Sequence, residues 1–175
     1  MSQLESTTPT DLAKSAARLF AQRQRAARDA VRTGRMDPRT ATQHLRPWLA
    51  IACRIGADLP ELEEGLANLR TVQLVWPTNG AAPDVTDAEA RARLADEICP
   101  RSRWAPILAA ARDRALGGPL ATPEQCRDAI ALRDIAAHFA CDPNADFRGK
   151  GHHVPVPDLA RLWAAQQGQF EGVAA

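Results

Sequence analysis

The 175-residue sequence contains no apolar run that approaches the roughly 20 residues needed by a membrane-spanning helix. Its first ten residues are polar and lack the apolar segment of a secretory signal. These absences predict a cytoplasmic protein with no membrane partner. With 45% hydrophobic and 25% charged residues, a chain of this length can bury a core of its own.

The four cysteines form no C-x-x-C pair and are separated by long, unequal intervals. Disulfide frameworks are typical of shorter, secreted and loop-rich chains. Cys53, Cys126 and Cys141 lie in or beside apolar patterns with helical spacing. The sequence therefore predicts reduced cysteines that are buried as small hydrophobic residues.

Lysine is scarce, because only Lys14 and Lys150 stand among 22 basic residues. Together with the abundant alanine, this indicates a GC-rich coding bias, so the placement of arginine carries more information than its number. Residues 1–56 hold ten basic and four acidic residues, whereas residues 57–100 hold three and nine. This asymmetry predicts that the N-terminal third meets an anionic partner or the acidic middle of its own chain.

Helix start and stop signals occur along the whole chain. Asp37 precedes a proline at a first helical position, and residues 86–89 and 122–125 have the pattern of capping boxes. Gly34 and Gly56 follow periodic segments, as helix-ending glycines do. We predict an all-α fold, an irregular bundle of about six or seven helices that begins with an αα-hairpin. The predicted helices lie near residues 11–33, 38–55, 60–71, 87–98, 104–116, 123–140 and 157–167.

The predicted organisation has three parts. A disordered N-terminal tail covers residues 1–10, and a frayed C-terminal tail covers residues 168–175. A single helical domain lies between them over residues 11–167. This domain divides into a basic helical hairpin, 11–56, and a helical core, 57–167.

Two segments leave the helix prediction open. Pro47 lies inside the second helical pattern, so we expect a kink or break near Arg46. Residues 71–76 fit both the alternation of a strand and the spacing of a helix. A lone strand has no partner here, which favours a helix or an extended linker.

The first predicted helix carries a row of cations opposite an alanine-rich apolar side. At 100° per residue, these cations fall within about 100° of arc. They are Lys14, Arg18, Arg25, Arg28, Arg32 and Arg35. Such a row can follow a phosphate backbone, or it can be a solvated face or dock on an acidic surface. The apolar side lacks the bulk of a membrane-surface helix, and the row lacks aromatic residues that stack single-stranded bases.

The segment RQRAARDAVRTGRMDPRTATQHLRPWL, residues 23–49, combines the end of this basic helix with the second helix. It resembles a short motif of uncharacterised phage and prophage helical-hairpin proteins, in which a basic helix ends in Val-x-x-Gly-x-Met. The chain departs from that motif at Trp48 and throughout its C-terminal part. The resemblance implies an origin in a mobile element and assigns no catalytic residue.

The back half offers one candidate acid–base pair. Asp134 and His138 are four residues apart in an apolar helix, where a carboxylate can orient an imidazole as a general base. No nucleophile accompanies them, and such a pair is also the ordinary polar edge of a core helix.

The loop that follows, residues 141–154, holds incomplete metal patterns. Asp142, Asn144 and Asp146 have the initial spacing of a calcium loop, whose glycine at the sixth and glutamate at the twelfth position are missing. The potential zinc ligands there lack the close pairing of structural sites. They are Cys141, His152 and His153.

The sequence therefore favours a non-enzymatic accessory or adaptor protein that contacts nucleic acid through its basic helix, with no cofactor and no metal. One alternative is a protein–protein interaction module, or self-association, in which the basic hairpin pairs with an acidic surface. Another is a metal-binding or hydrolytic protein that uses the 134–153 region.

Overall fold

The structure, a computed structural model, describes residues 9–75, 86–118 and 120–140. These ranges contain six helices and no strand, which confirms the all-α prediction. The helices are α1 (Pro9–Arg32), α2 (Pro38–Ile55), α3 (Pro60–Val75), α4 (Asp87–Ile98), α5 (Arg101–Gly117) and α6 (Pro123–Ala140). The predicted helix at 157–167, both predicted tails except residues 9 and 10, and the loop from 141 lie outside the described residues.

The helix ends use the signals that the sequence displays. Asp37 caps α2, because its Oδ1 accepts hydrogen bonds from the backbone N–H groups of Arg39 and Thr40 at 3.0 and 3.1 Å. The capping box of α4 is also present, since the N–H of Glu89 donates to Thr86 Oγ1 while the N–H of Thr86 donates to Glu89 Oε2. The Thr122–Gln125 box of α6 has the same reciprocal bonds.

The helices differ from the sequence prediction at several points, and α1 begins at Pro9, so residues 9 and 10 of the predicted disordered tail are helical. α2 is one continuous helix through the buried Pro47, so the predicted break is not present. Pro47 lacks the backbone N–H that would donate to the carbonyl of Gln43, four residues earlier. Gln43 is exposed, so water can donate to this carbonyl instead. α3 continues to Val75, which settles residues 71–75 as helical, and α5 begins at Arg101, ahead of the predicted residue 104.

Backbone contacts divide the chain into two compact units, Met1–Trp104 and Ala105–Ala175. In the first unit, α2 packs against both α1 and α4, and α3 packs against α4. α1 and α2 are antiparallel, because the start of α1 lies beside the end of α2 and Arg23 lies beside Trp48. The predicted αα-hairpin is therefore confirmed, and it leaves one side of α1 uncovered by α2.

The second unit has an apolar cluster of its own. The N-terminal half of α6 packs there with the end of α5, and the thiol of Cys126 lies 3.6 Å from the carbonyl oxygen of Leu120. The cluster consists of Leu116, Leu120, Cys126, Ala129 and Ile130. The predicted single domain over 11–167 includes residues outside the described ranges and stays a prediction.

Candidate nucleic-acid interface

α1 has two chemically different faces. Its buried residues are Leu12, Ala16, Leu19, Phe20 and Ala27. The opposite face carries five of the six predicted cations, which we call the basic stripe: Lys14, Arg18, Arg25, Arg28 and Arg32. Four of these side chains are exposed, and Arg18 is half-buried. Because α2 packs against the apolar face, most of the stripe lies away from the hairpin interface, whereas Lys14 also lines a groove with Ile55 and Gly56 at the end of α2.

Arg35 lies beyond the helix rather than on it. α1 ends at Arg32, and Gly34 adopts a left-handed backbone with φ of +69°. The backbone N–H of Arg35 then bonds to the carbonyl of Ala30 at 2.8 Å, and its Nε donates to Thr33 Oγ1 at 2.9 Å. Arg35 is therefore an exposed residue of the α1–α2 turn, where helical periodicity no longer fixes its direction.

Among the described residues, the four exposed cations of the stripe form a single ion pair. Arg32 forms an ion pair with Asp29 at 3.5 Å, in which both side chains are largely exposed. Such a surface pair contributes little to stability. Lys14, Arg25 and Arg28 form no ion pair with any residue in the described part of the chain. The stripe thus presents a concentration of positive charge to solvent.

The acidic middle of the chain makes its contacts elsewhere. Arg91 binds Asp87 at 2.8 Å and Asp58 at 3.1 Å. Glu61 accepts a hydrogen bond from Gln24 of α1 at 2.6 Å, at a position beside the stripe rather than on it. Arg91 thus neutralises Asp58 and Asp87 locally, and none of these three carboxylates pairs with an exposed stripe cation.

Arg23 is the one α1 arginine on the apolar side, and its position has a specific explanation. Its guanidinium carbon lies 3.5 Å from the centre of the Trp48 ring, and NH1 donates to the Leu19 carbonyl at 3.0 Å. This cation–π stacking lets a charged residue cross the hairpin interface. This pairing could not be predicted from the sequence, because helical periodicity does not identify a partner 25 residues away.

A further exposed arginine, Arg39, was missed by the sequence analysis. It occupies the first turn of α2, close in the chain to Arg35. The Asp37-Pro38 cap fixes where α2 begins, so the positions that follow it could have been assigned a direction on a helical wheel. Arg39 adds positive charge at the end of the hairpin that carries Arg32.

The candidate acid–base pair in α6 is engaged in a structural contact. The carboxylate of Asp134 accepts two bonds from Arg133, at 2.8 Å from Nε and 2.7 Å from NH2. The His138 ring contacts the ring of Phe139 edge-on, with centroids 5.2 Å apart. An aspartate held by a neighbouring guanidinium is poorly placed to orient an imidazole, so this geometry gives no support to hydrolytic chemistry.

The described residues likewise hold no metal centre. Among them no group of three or more His, Cys, Asp or Glu side chains comes together. The potential zinc ligands, Cys141 among them, and the calcium-like loop lie outside the described ranges. A groove of about 470 Å³ beside Lys14 is lined by two ionisable side chains, Lys14 and Asp58, which form no acid–base pair.

The three described cysteines are buried and form no disulfide, which confirms the prediction for Cys53 and Cys126 and extends it to Cys99. Burial raises the pKa of the Cys53 thiol to about 11, although Arg91 opposes this shift and Asp87 adds to it. Its thiol donates to the carbonyl of Arg91 at 3.3 Å. Burial also raises the pKa of Cys99. Protonated, enclosed thiols are not nucleophiles at neutral pH.

Among the described helices, none combines the length and the apolar character that crossing a membrane would require. Comparison of the chain with protein-family models, with curated proteins and with solved structures finds no significant match. The resemblance of residues 23–49 to phage and prophage proteins therefore stays a prediction.

Proposed function

We propose that this protein is a non-enzymatic accessory protein that binds nucleic acid through the basic stripe of α1. The observation that supports this function is the exposure of Lys14, Arg25 and Arg28 without an ion pair among the described residues. Repulsion between like charges one turn apart on a helix costs a few tenths of a kcal/mol per pair. An anionic partner would remove that cost, and phosphates would release bound counterions.

The phage-like hairpin motif fits the same proposal. A protein of a mobile element that acts in the cytoplasm meets nucleic acid directly. Both the cytoplasmic location and the phage origin are therefore part of the proposal.

The test is fluorescence anisotropy of the protein with labelled DNA. Four or five phosphate contacts predict an affinity loss of about 10²-fold or more between about 50 and 200 mM salt. The double variant Arg25→Glu/Arg32→Glu should lose most of the binding at the lower salt concentration. Its matched control is Arg93→Glu/Arg127→Glu, which reverses the same amount of charge on exposed positions of α4 and α6.

Equal losses in the two double variants would show that net charge, rather than the stripe, governs binding. Absence of binding at the lower salt concentration would contradict the proposal. It would favour the alternative in which the hairpin pairs with an acidic protein surface or with a second copy, which sedimentation of the same sample would detect.

A further inference from the structure

The basic stripe is divided into two groups of cations. Lys14 and Arg18 lie one turn apart near the start of α1, and Arg25, Arg28 and Arg32 occupy its last turns. Between Arg18 and Arg25 the rise of the helix is about 10 Å. Ala21 occupies the centre of the face in this interval and offers neither charge nor a hydrogen bond. The stripe is therefore bipartite, with a neutral gap.

The dimension of this gap points to a particular form of nucleic acid. The major groove of B-form DNA is about 12 Å wide, and a phosphate backbone lies on each side of it. We propose that α1 lies across this groove, an inference that rests on the proposed function. Lys14 and Arg18 then meet the phosphates of one strand, and the arginines of the second group meet those of the other. The whole stripe spans about 27 Å, enough to reach both backbones.

A single strand would not use this arrangement. It has one backbone, which needs no neutral interval, and its bases are held by exposed aromatic side chains. Every Phe and Trp side chain in the described part of the chain is buried: Phe20, Trp48, Trp104 and Phe139. An RNA duplex has a deep and narrow major groove, so the two groups of cations could not straddle it in the same way.

Contacts to phosphates alone carry no sequence information. Because Ala21 faces the middle of the groove, α1 presents no hydrogen-bonding side chain to the base edges at that point. Binding should therefore be independent of DNA sequence.

The experiment compares four ligands by anisotropy: two short DNA duplexes of different sequence, one of their single strands, and an RNA duplex. We expect the DNA duplexes to bind within about threefold of each other and about tenfold more tightly than the single strand or the RNA duplex. Lys14→Ala and Arg28→Ala each remove one contact, on opposite sides of the gap. Each should reduce the slope of log K against log salt by about 0.9 on the DNA duplex, while Arg93→Ala leaves it unchanged.

Binding of the single strand or the RNA duplex as tightly as the DNA duplex, with the same loss in the stripe variants, would overturn the groove geometry and leave the proposed function standing. A slope that falls in Arg28→Ala but not in Lys14→Ala would also overturn it, because only one backbone would then be in contact. Absence of stripe-dependent binding to all four ligands would overturn both proposals. Circular dichroism of the two variants, which change exposed residues, verifies that they are folded.

Discussion

Arg91 of α4 binds the loop between α2 and α3 through one side chain. Its guanidinium binds Asp87 at 2.8 Å and Asp58 at 3.1 Å, and NH1 donates to the carbonyl of Ala57 at 2.9 Å. Burial opposes its positive charge, but the two carboxylates prevail and raise the pKa of Arg91 above its ordinary value. The side chain is only 12% exposed, and its contacts hold the loop between α2 and α3 against α4.

Replacement of Arg91 by methionine keeps much of the side-chain length and removes all three contacts. Because both carboxylates are at least half-exposed, solvent screening should limit the loss in the free energy of unfolding to about 1–2 kcal/mol. Urea denaturation followed by circular dichroism measures this loss. Arg93→Met, on the exposed side of the same helix, should change it by less than about 0.5 kcal/mol. A similar change in both variants would contradict the role assigned to Arg91.

Asp37 gives the stability a dependence on pH. Hydrogen bonds from the Thr40 side chain and backbone lower its pKa below the ordinary value of 3.8. A lowered native pKa stabilises the fold above the unfolded pKa, and this stabilisation disappears as pH falls through the native pKa. Asn at this position still caps α2 but does not titrate. The urea midpoint of the wild type should therefore exceed that of Asp37→Asn near pH 6, and the difference should shrink below about pH 4.

Each helix of the hairpin is followed by a glycine with a positive φ angle, Gly34 after α1 and Gly56 after α2. Gly56 has φ of +94°, and its N–H bonds to the carbonyls of Ala52 and Cys53. The methyl group of Gly56→Ala would meet no neighbouring atom. The variant should therefore lower the free energy of unfolding only through the left-handed backbone, by about 1–2 kcal/mol. Gly117→Ala also adds its methyl group to open space, at the helical end of α5, and should be neutral or slightly stabilising. Thermal unfolding of both variants tests the contrast, and equal shifts would contradict it.

At this scale the sequence predicted the helices well, because their signals are local. The caps at Asp37, Thr86 and Thr122 involve residues at most four positions apart, and the α1 faces follow from helical periodicity. The end of α3 falls in a segment whose local pattern fits both a strand and a helix. The continuous helix through Pro47 depends on the exposure of Gln43, which the local pattern does not report. The pairing of Arg23 with Trp48 and the contacts of Arg91 join distant positions, so one sequence could not predict them.

Across the whole molecule, positive and negative charge nearly cancel, with a formal net charge of +1. A nearly neutral protein exerts little long-range attraction on a polyanion. Binding would therefore depend on the local charge and exposure of the stripe rather than on the total arginine content. The sequence predicted which residues form the stripe, but only the structure shows that Arg35 leaves it and that Arg18 is half-buried.

Lys14 also has a practical consequence for chemistry on this surface. It is the only lysine in the described part of the chain, and it is exposed at one end of the stripe. An amine-selective reagent would have few sites of attachment on the protein, and one of them would lie at the proposed contact with the nucleic acid. Protection of this amine in a complex, read by mass spectrometry of the modified peptides, would locate the bound partner at a single side chain.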